Sequence, residues 1–298
     1  MHWAVASLVS AVFLGGYEVF TKHAVRGNAV LPVLFLSTLS SAAVWLLLMA
    51  IEALLPGTWP TALTVSALTW HQHGLLLLKS LIVGSSWACV YFAVKHLPVS
   101  ISSPIRATSP VWTLFGALLF LHERPTGLEI LGVATTLASF IGLSVAGRQE
   151  GIHFHRNPWI GWVFLGTLLA AVSALYDKFL MARAGFTAAT VQAWFCIYLV
   201  GLLIPFVAGW KFRWWPRGEF QWRWSILLLA LSLLVADFLY FSALRDPAAL
   251  ISLVSSLRRG STLVAFAGGV LWFGEHHGRQ KLFAIFGVLL GILLTVLG

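Results

Sequence analysis

The 298 residues are 59% hydrophobic and 10% charged, with a mean hydropathy of +0.88, which excludes an ordinary soluble globular domain. The formal net charge of +9 is spread over short loops and apolar spans rather than gathered on one face or tail, which argues against nucleic acid as a partner. Cys89 and Cys196 fall inside apolar runs, where a thiol behaves as a small apolar side chain and says nothing about redox compartment.

Apolar runs of about 20 residues, long enough to cross a hydrocarbon core, recur along the whole chain. They predict ten helical spans, near 3–25, 29–55, 74–95, 98–121, 126–147, 158–183, 186–210, 223–244, 247–273 and 278–297. The expected class is therefore an all-α membrane protein, with connections too short to hold a core of their own. The first span lacks the basic leader of a signal peptide and reads as a mature helix; it carries Glu18 and Lys22 at i,i+4 spacing. Lys79 lies in the third span and Tyr91 near its end. The fourth holds Arg106 between Pro104 and Pro110, each of which removes a helical hydrogen bond and predicts a kink. "TGLE", Thr126 to Glu129, reads as a capping box opening the fifth span. Asp177 and Lys178 adjoin in the sixth, Asp237 and Tyr240 lie in the eighth, and Arg258 with Arg259 falls well inside the ninth.

The chain also repeats itself. "YFAVKHLP" from Tyr91 is answered by "YFSALRDP" from Tyr240, and Arg106, Gly116 and Glu123 are answered by Arg258, Gly268 and Glu275. The repeats are residues 1–147 and 158–298, joined by a loop at 148–157. Five spans per half is an odd number, so the second half enters the membrane from the opposite side, the inverted arrangement of secondary transporters.

The stretches "SPVWTLFGALLFLHERPTGLEILGV" and "RRGSTLVAFAGGVLWFGEHHGRQKLFAIFGVLLG" resemble the two EamA-type repeats of the drug/metabolite transporter superfamily. That resemblance implies a ten-helix carrier around a central cavity, with substrates ranging over amino acids, drugs, nucleotide sugars and sugar phosphates. It also implies cytoplasmic termini, whereas the Lys- and Arg-rich loops, counted by parity, put both termini outside.

An arginine at the middle of a lipid-facing helix costs about 2.5 to 3.5 kcal/mol, so Arg106 and Arg258 are expected to face protein or a wet cavity. Repeat symmetry can bring both to one site, and guanidinium forks suit carboxylate and phosphate, so the pair reads as an anion clamp. Arg259 assists, Lys22 and Lys178 are further candidates, and Tyr91 and Tyr240 are either solute contacts or interfacial anchors. Glu18, Asp177, Asp237 and Lys79 are either structural ion-pair partners or a relay coupling transport to a proton or counter-substrate.

Among the fifteen tryptophans most lie near span ends, as an interfacial belt would place them. Trp45, Trp87, Trp112 and Trp194 lie deeper, as packing or cavity wall. His71/His73 and His153/His155 lack a supporting Cys or carboxylate cluster, so no metal is expected, nor any other cofactor. No nucleophile or phosphate-loop motif appears, which argues against an enzyme. The expected function is a carrier, in a plasma or inner membrane, for a small organic anion moved by alternating access. The alternatives are an exporter of neutral or cationic amphiphiles, with Glu18 and Asp237 as charged contacts and tryptophans as wall, then a lipid-head-group enzyme or a receptor.

Overall fold

In hydrocarbon every backbone N–H and C=O must be paired, and a helix pairs them within one segment. The computed structural model describes residues 3–55, 59–96, 105–106, 108–145, 157–214, 218–261 and 264, with 286–287, 289–291, 293–294 and 297–298 near the C-terminus. Among the described residues the elements are helices: α1 (Trp3–Val25), α2 (Val30–Leu54), α3 (Trp70–His96), α4 (Ser109–Gly116), α5 (Gly127–Val145), α6 (Pro158–Lys178), α7 (Ala188–Lys211), α8 (Ser225–Leu244) and α9 (Ile251–Arg258). Six of these, α1, α2, α3, α6, α7 and α8, are long and apolar enough to cross a membrane. Their outward faces carry large apolar side chains such as Leu46, Leu47, Phe164 and Leu231, as lipid contact demands.

The remaining spans differ from expectation in instructive ways. Pro110 sits in the first turn of the eight-residue α4, after a helical pair at Ile105 and Arg106, and residues 101–104 and 107 lie outside the described residues. Pro104 lies outside the described residues. Helix α4 closes in a π turn over Ala117–Leu121, and α6 likewise over Phe179–Arg183. Arg258 is not in the middle of a continuous helix, because α9 ends on it and Arg259 and Gly260 form a turn. Within hydrocarbon, irregular backbone persists only where protein or a wet cavity surrounds it. Helix α3 starts at Trp70, earlier than the apolar pattern suggests. Thr69 and Gln72 exchange bonds there, with the Thr69 N–H donating to Gln72 Oε1 at 2.9 Å and the Gln72 N–H to Thr69 Oγ1 at 3.3 Å.

The helices pack as α1 along α8, α3 along α6 and α2 along α7. In addition α2 meets α8, α3 meets α7, α1 meets α9, α4 meets α6, and α4 meets α9. Exchanging α1–α4 for α6–α9 maps α1–α8, α2–α8 and α1–α9 onto α3–α6, α3–α7 and α4–α6, and maps α2–α7 and α4–α9 onto themselves. Small residues permit the closest approach: a Cβ added to Gly166 of α6 would stand 2.6 Å from Val90 Cγ2 on α3. The Ser86 hydroxyl of α3 donates to the Gly166 carbonyl at 2.7 Å across the same seam.

Candidate functional site

Five side chains from four helices form a continuous polar chain through the interior. Lys79 of α3 donates to Asp177 of α6 in a short, buried ion pair, its ammonium also standing 4.8 Å from the Phe195 ring and 4.9 Å from Phe241. The Tyr240 hydroxyl of α8 donates to the other Asp177 oxygen at 3.3 Å. The ring of Tyr240 in turn carries the Arg258 guanidinium, 4.1 Å from its centroid. Arg258 closes the chain by donating to Asp237 Oδ1 at 2.8 Å, both side chains being about one-sixth exposed (17% and 16%). Tyr240 is thus buried inside the bundle and is not an interfacial anchor. Asp177 pairs with Lys79 rather than with its chain neighbour Lys178.

A second group surrounds Glu18. Its carboxylate accepts from the Ser261 hydroxyl at 3.2 Å and lies in the field of Arg106, Arg259 and Arg258. Arg106 is exposed, whereas Arg258 and Arg259 are half-buried. The side chains of Lys22 and Tyr91 lie outside the described residues.

Lys178 is committed elsewhere. Its ammonium donates to the carbonyls of Leu244, Asp246 and Ala249, tying down the end of α8 and the turn after it, and this corrects its reading as a solute contact. Glu123 is architectural, as its place at a helix junction suggests. Its carboxylate accepts from the Ile251 N–H at 2.7 Å and the Ser252 hydroxyl at 3.0 Å, capping α9 from across the bundle. Glu275 lies outside the described residues. His73 is hydrogen-bonded through Nδ1 to the Tyr198 hydroxyl at 2.6 Å and stands edge-on to Trp194. Among the described residues no three His, Cys, Asp or Glu side chains converge as metal ligands.

A cleft opens between α1, α2, α3, α7 and α8. Trp87 and Phe195 form aromatic wall, Ser37, Thr38 and Ser41 of α2 supply hydroxyls, Gln192 of α7 supplies an amide, and Asp237 is the charged lining residue. The network therefore meets the cleft at Asp237. Trp45 is core instead, 1% exposed, and Trp112 packs edge-on against Phe164. Sequence reasoning missed Gln192 and the α2 hydroxyls. The available signal was a lone amide in one apolar span and a serine-threonine-serine face at i, i+1, i+4 in another.

Residues 1–145 match the family model described as the EamA-like transporter family. A solved structure entitled "Crystal structure of protein" superposes with a TM-score of 0.68 at 15% identity, over 98% of this chain and 97% of that one, a likeness of fold alone. No curated protein matches.

Proposed function

We propose that this chain, whose residues 1–145 match the EamA-like transporter family of the drug/metabolite transporter superfamily, carries a small, neutral or cationic organic amphiphile by alternating access. The family match and the long apolar helices together support a multi-pass integral membrane protein of a transporter family. The observation that carries the finer reading is the cleft, which reaches inward to a carboxylate, Asp237, between aromatic and hydroxyl-bearing walls.

The architecture proposed is ten helices in two inverted repeats, residues 1–147 and 158–298. Its support is the exchange of helix contacts noted above, in which α1–α8 answers α3–α6 and α1–α9 answers α4–α6. Helices α2 and α7 meet across the axis that such an exchange defines, and both line the cleft. Rocking of one half on the other would open the cleft to either side in turn. A plasma or inner membrane is the proposed location, with Glu18 and Asp177 as candidates for coupling to a proton or counter-substrate.

A small anion with phosphate or carboxylate is the second reading. In its favour, Glu18 lies in the field of Arg106, Arg258 and Arg259, and Arg258, though paired with Asp237, keeps a buried Nε with no acceptor among the described residues. Flux in sealed proteoliposomes separates the two. The first reading expects Trp87→Ala and Asp237→Asn to slow uptake of amphiphiles, and it is overturned if both leave the flux unchanged. The second falls if folded Arg106→Ala and Arg258→Ala transport organic anions at the unmodified rate.

A further inference from the structure

We infer that the cleft recognises a protonated amine, held between the carboxylate of Asp237 and the side-chain carbonyl of Gln192. The inference rests on the transporter reading above and deepens it by naming the solute group and the residue that selects it.

The first observation is the hydrogen-bond polarity of the lining. The Ser37 and Thr38 hydroxyls both donate to the Leu34 carbonyl, each at 2.9 Å, and Ser41 donates to the Ser37 carbonyl at 3.2 Å. With their protons so committed, these side chains offer lone pairs rather than donors to an occupant. The Gln192 amide nitrogen donates to the Leu234 carbonyl of α8 at 2.6 Å. That bond fixes the flip of the amide and leaves Gln192 Oε1 buried and, among the described residues, without a donor.

The second observation is position. Leu234 and Asp237 are three residues apart on α8, so they share one face, and both line the cleft together with Gln192. Helices α7 and α8 pack on one another, and Cys196, one turn beyond Gln192 on α7, lines the same cleft. Asp237 gives Oδ1 to Arg258, and among the described residues no donor engages Oδ2. A carboxylate oxygen, an amide oxygen without a donor among the described residues and the α2 hydroxyl lone pairs supply acceptors beside the aromatic wall, and Tyr17 and Thr21 of α1 add two further hydroxyls to the lining. A buried acceptor without a donor is costly, so an occupant that supplies donors is selected over one that does not. An ammonium supplies several donors and a charge matched to Asp237, and an apolar remainder fits beside Trp87 and Phe195.

The test uses three probes of nearly equal shape: 2-phenylethylamine, 2-phenylethanol and phenylacetate. Their binding to the purified full-length protein is measured at neutral pH by titration calorimetry and by thermal stabilisation. The expected result is that the amine binds at least about tenfold more tightly than the alcohol, with phenylacetate weakest. Gln192→Leu should remove most of that preference, and Gln192→Glu should restore or raise it. Equal affinity for amine and alcohol, tighter binding of phenylacetate, or a preference unchanged in folded Gln192→Leu would each overturn the inference. Should either variant fail to fold, the probe order on the unmodified protein decides. Flux of the same probes is followed separately in proteoliposomes: probe-selective binding without flux of any probe would reject the transporter reading while leaving the amine site standing, and flux without amine preference would do the reverse.

Discussion

The guanidinium carbon of Arg258 stands 4.1 Å from the ring centroid of Tyr240, while the hydroxyl of the same tyrosine reaches Asp177 at 3.3 Å. Tyr240 therefore links two ion pairs, Arg258–Asp237 and Lys79–Asp177, through its face and its edge. The two contacts separate by substitution. Tyr240→Phe keeps the ring under Arg258 and loses a hydrogen bond to a charged acceptor, expected at about 1.5 to 3 kcal/mol. Tyr240→Leu loses in addition a partly desolvated cation–π contact of about 0.5 to 2 kcal/mol. Thermal unfolding in detergent should rank the melting temperatures as unmodified, then Tyr240→Phe, then Tyr240→Leu; equal melting of the two variants would show that the ring carries nothing for Arg258.

Lys79 and Asp177, 98 residues apart in the chain, are both nearly inaccessible at 3% and 6% exposure. Removing one charge leaves the other buried without a counter-ion, so Lys79→Met and Asp177→Asn are each expected to destabilise by about 3 to 5 kcal/mol. The double variant has no uncompensated charge and should lose markedly less than the two single losses added. A double-mutant cycle by denaturant unfolding measures this, and additive losses would mean that the ion pair is not a unit.

Much of this fold can be read in the residues, for a physical reason: hydrocarbon imposes a length and a composition on each crossing. The expected spans 3–25, 158–183 and 223–244 reappear within a residue or two as α1, α6 with its π turn, and α8. Helix α4 was legible as apolar, but Pro110 fits a helix start, where it stands in α4, as well as a kink. The capping box at Thr126–Glu129 is present as written, the Glu129 N–H donating to Thr126 Oγ1 at 3.2 Å. Pairing of charges was not legible. Sequence proximity favours Asp177–Lys178, yet the partners come from α3 and α6, and which cation faces which acid depends on helix rotation that periodicity leaves undetermined when a span is apolar all round. Gln192 was invisible for a related reason. An amide in an apolar span signals burial, but only the coordinates show that its nitrogen is engaged and its oxygen is not.

Gly166 and Gly161 lie on α6 five residues apart and should respond oppositely to the same change. A Cβ at Gly166 would meet Val90 Cγ2 at 2.6 Å, the Ser86 carbonyl at 3.1 Å and Cys89 Cβ at 3.2 Å, whereas one at Gly161 would meet nothing within 4 Å. Gly166→Ala must therefore push α6 from α3, with an expected loss of about 1 to 3 kcal/mol. Gly161→Ala should be neutral or slightly stabilising, since alanine is the better helix former by about 1 kcal/mol. Paired melting curves check the contrast, and a Gly166→Ala protein as stable as Gly161→Ala would refute the tight α3–α6 seam.

Glu123 lies near the start of the connection between α4 with its π turn and α5, yet caps a helix in the second half of the chain, 128 residues away at Ile251. Its carboxylate meets the Ile251 N–H at 2.7 Å and the Ser252 hydroxyl at 3.0 Å, at the positive end of α9. Helix α9 is only eight residues long and ends on Arg258, so its N-terminal turn is a large part of what fixes that arginine beside Asp237. Glu123→Ala should cost about 1 to 3 kcal/mol by leaving buried donors unpaired. Glu123→Gln keeps an acceptor but not the charge and should fall between. Hydrogen exchange localises the effect: the Ile251 amide is expected to lose protection in Glu123→Ala while amides in the middle of α2 keep theirs. If Ile251 stays as protected as before, the cap is not what holds α9 in place, and the geometry of Arg258 must be set from its other side, by Tyr240 and Asp237.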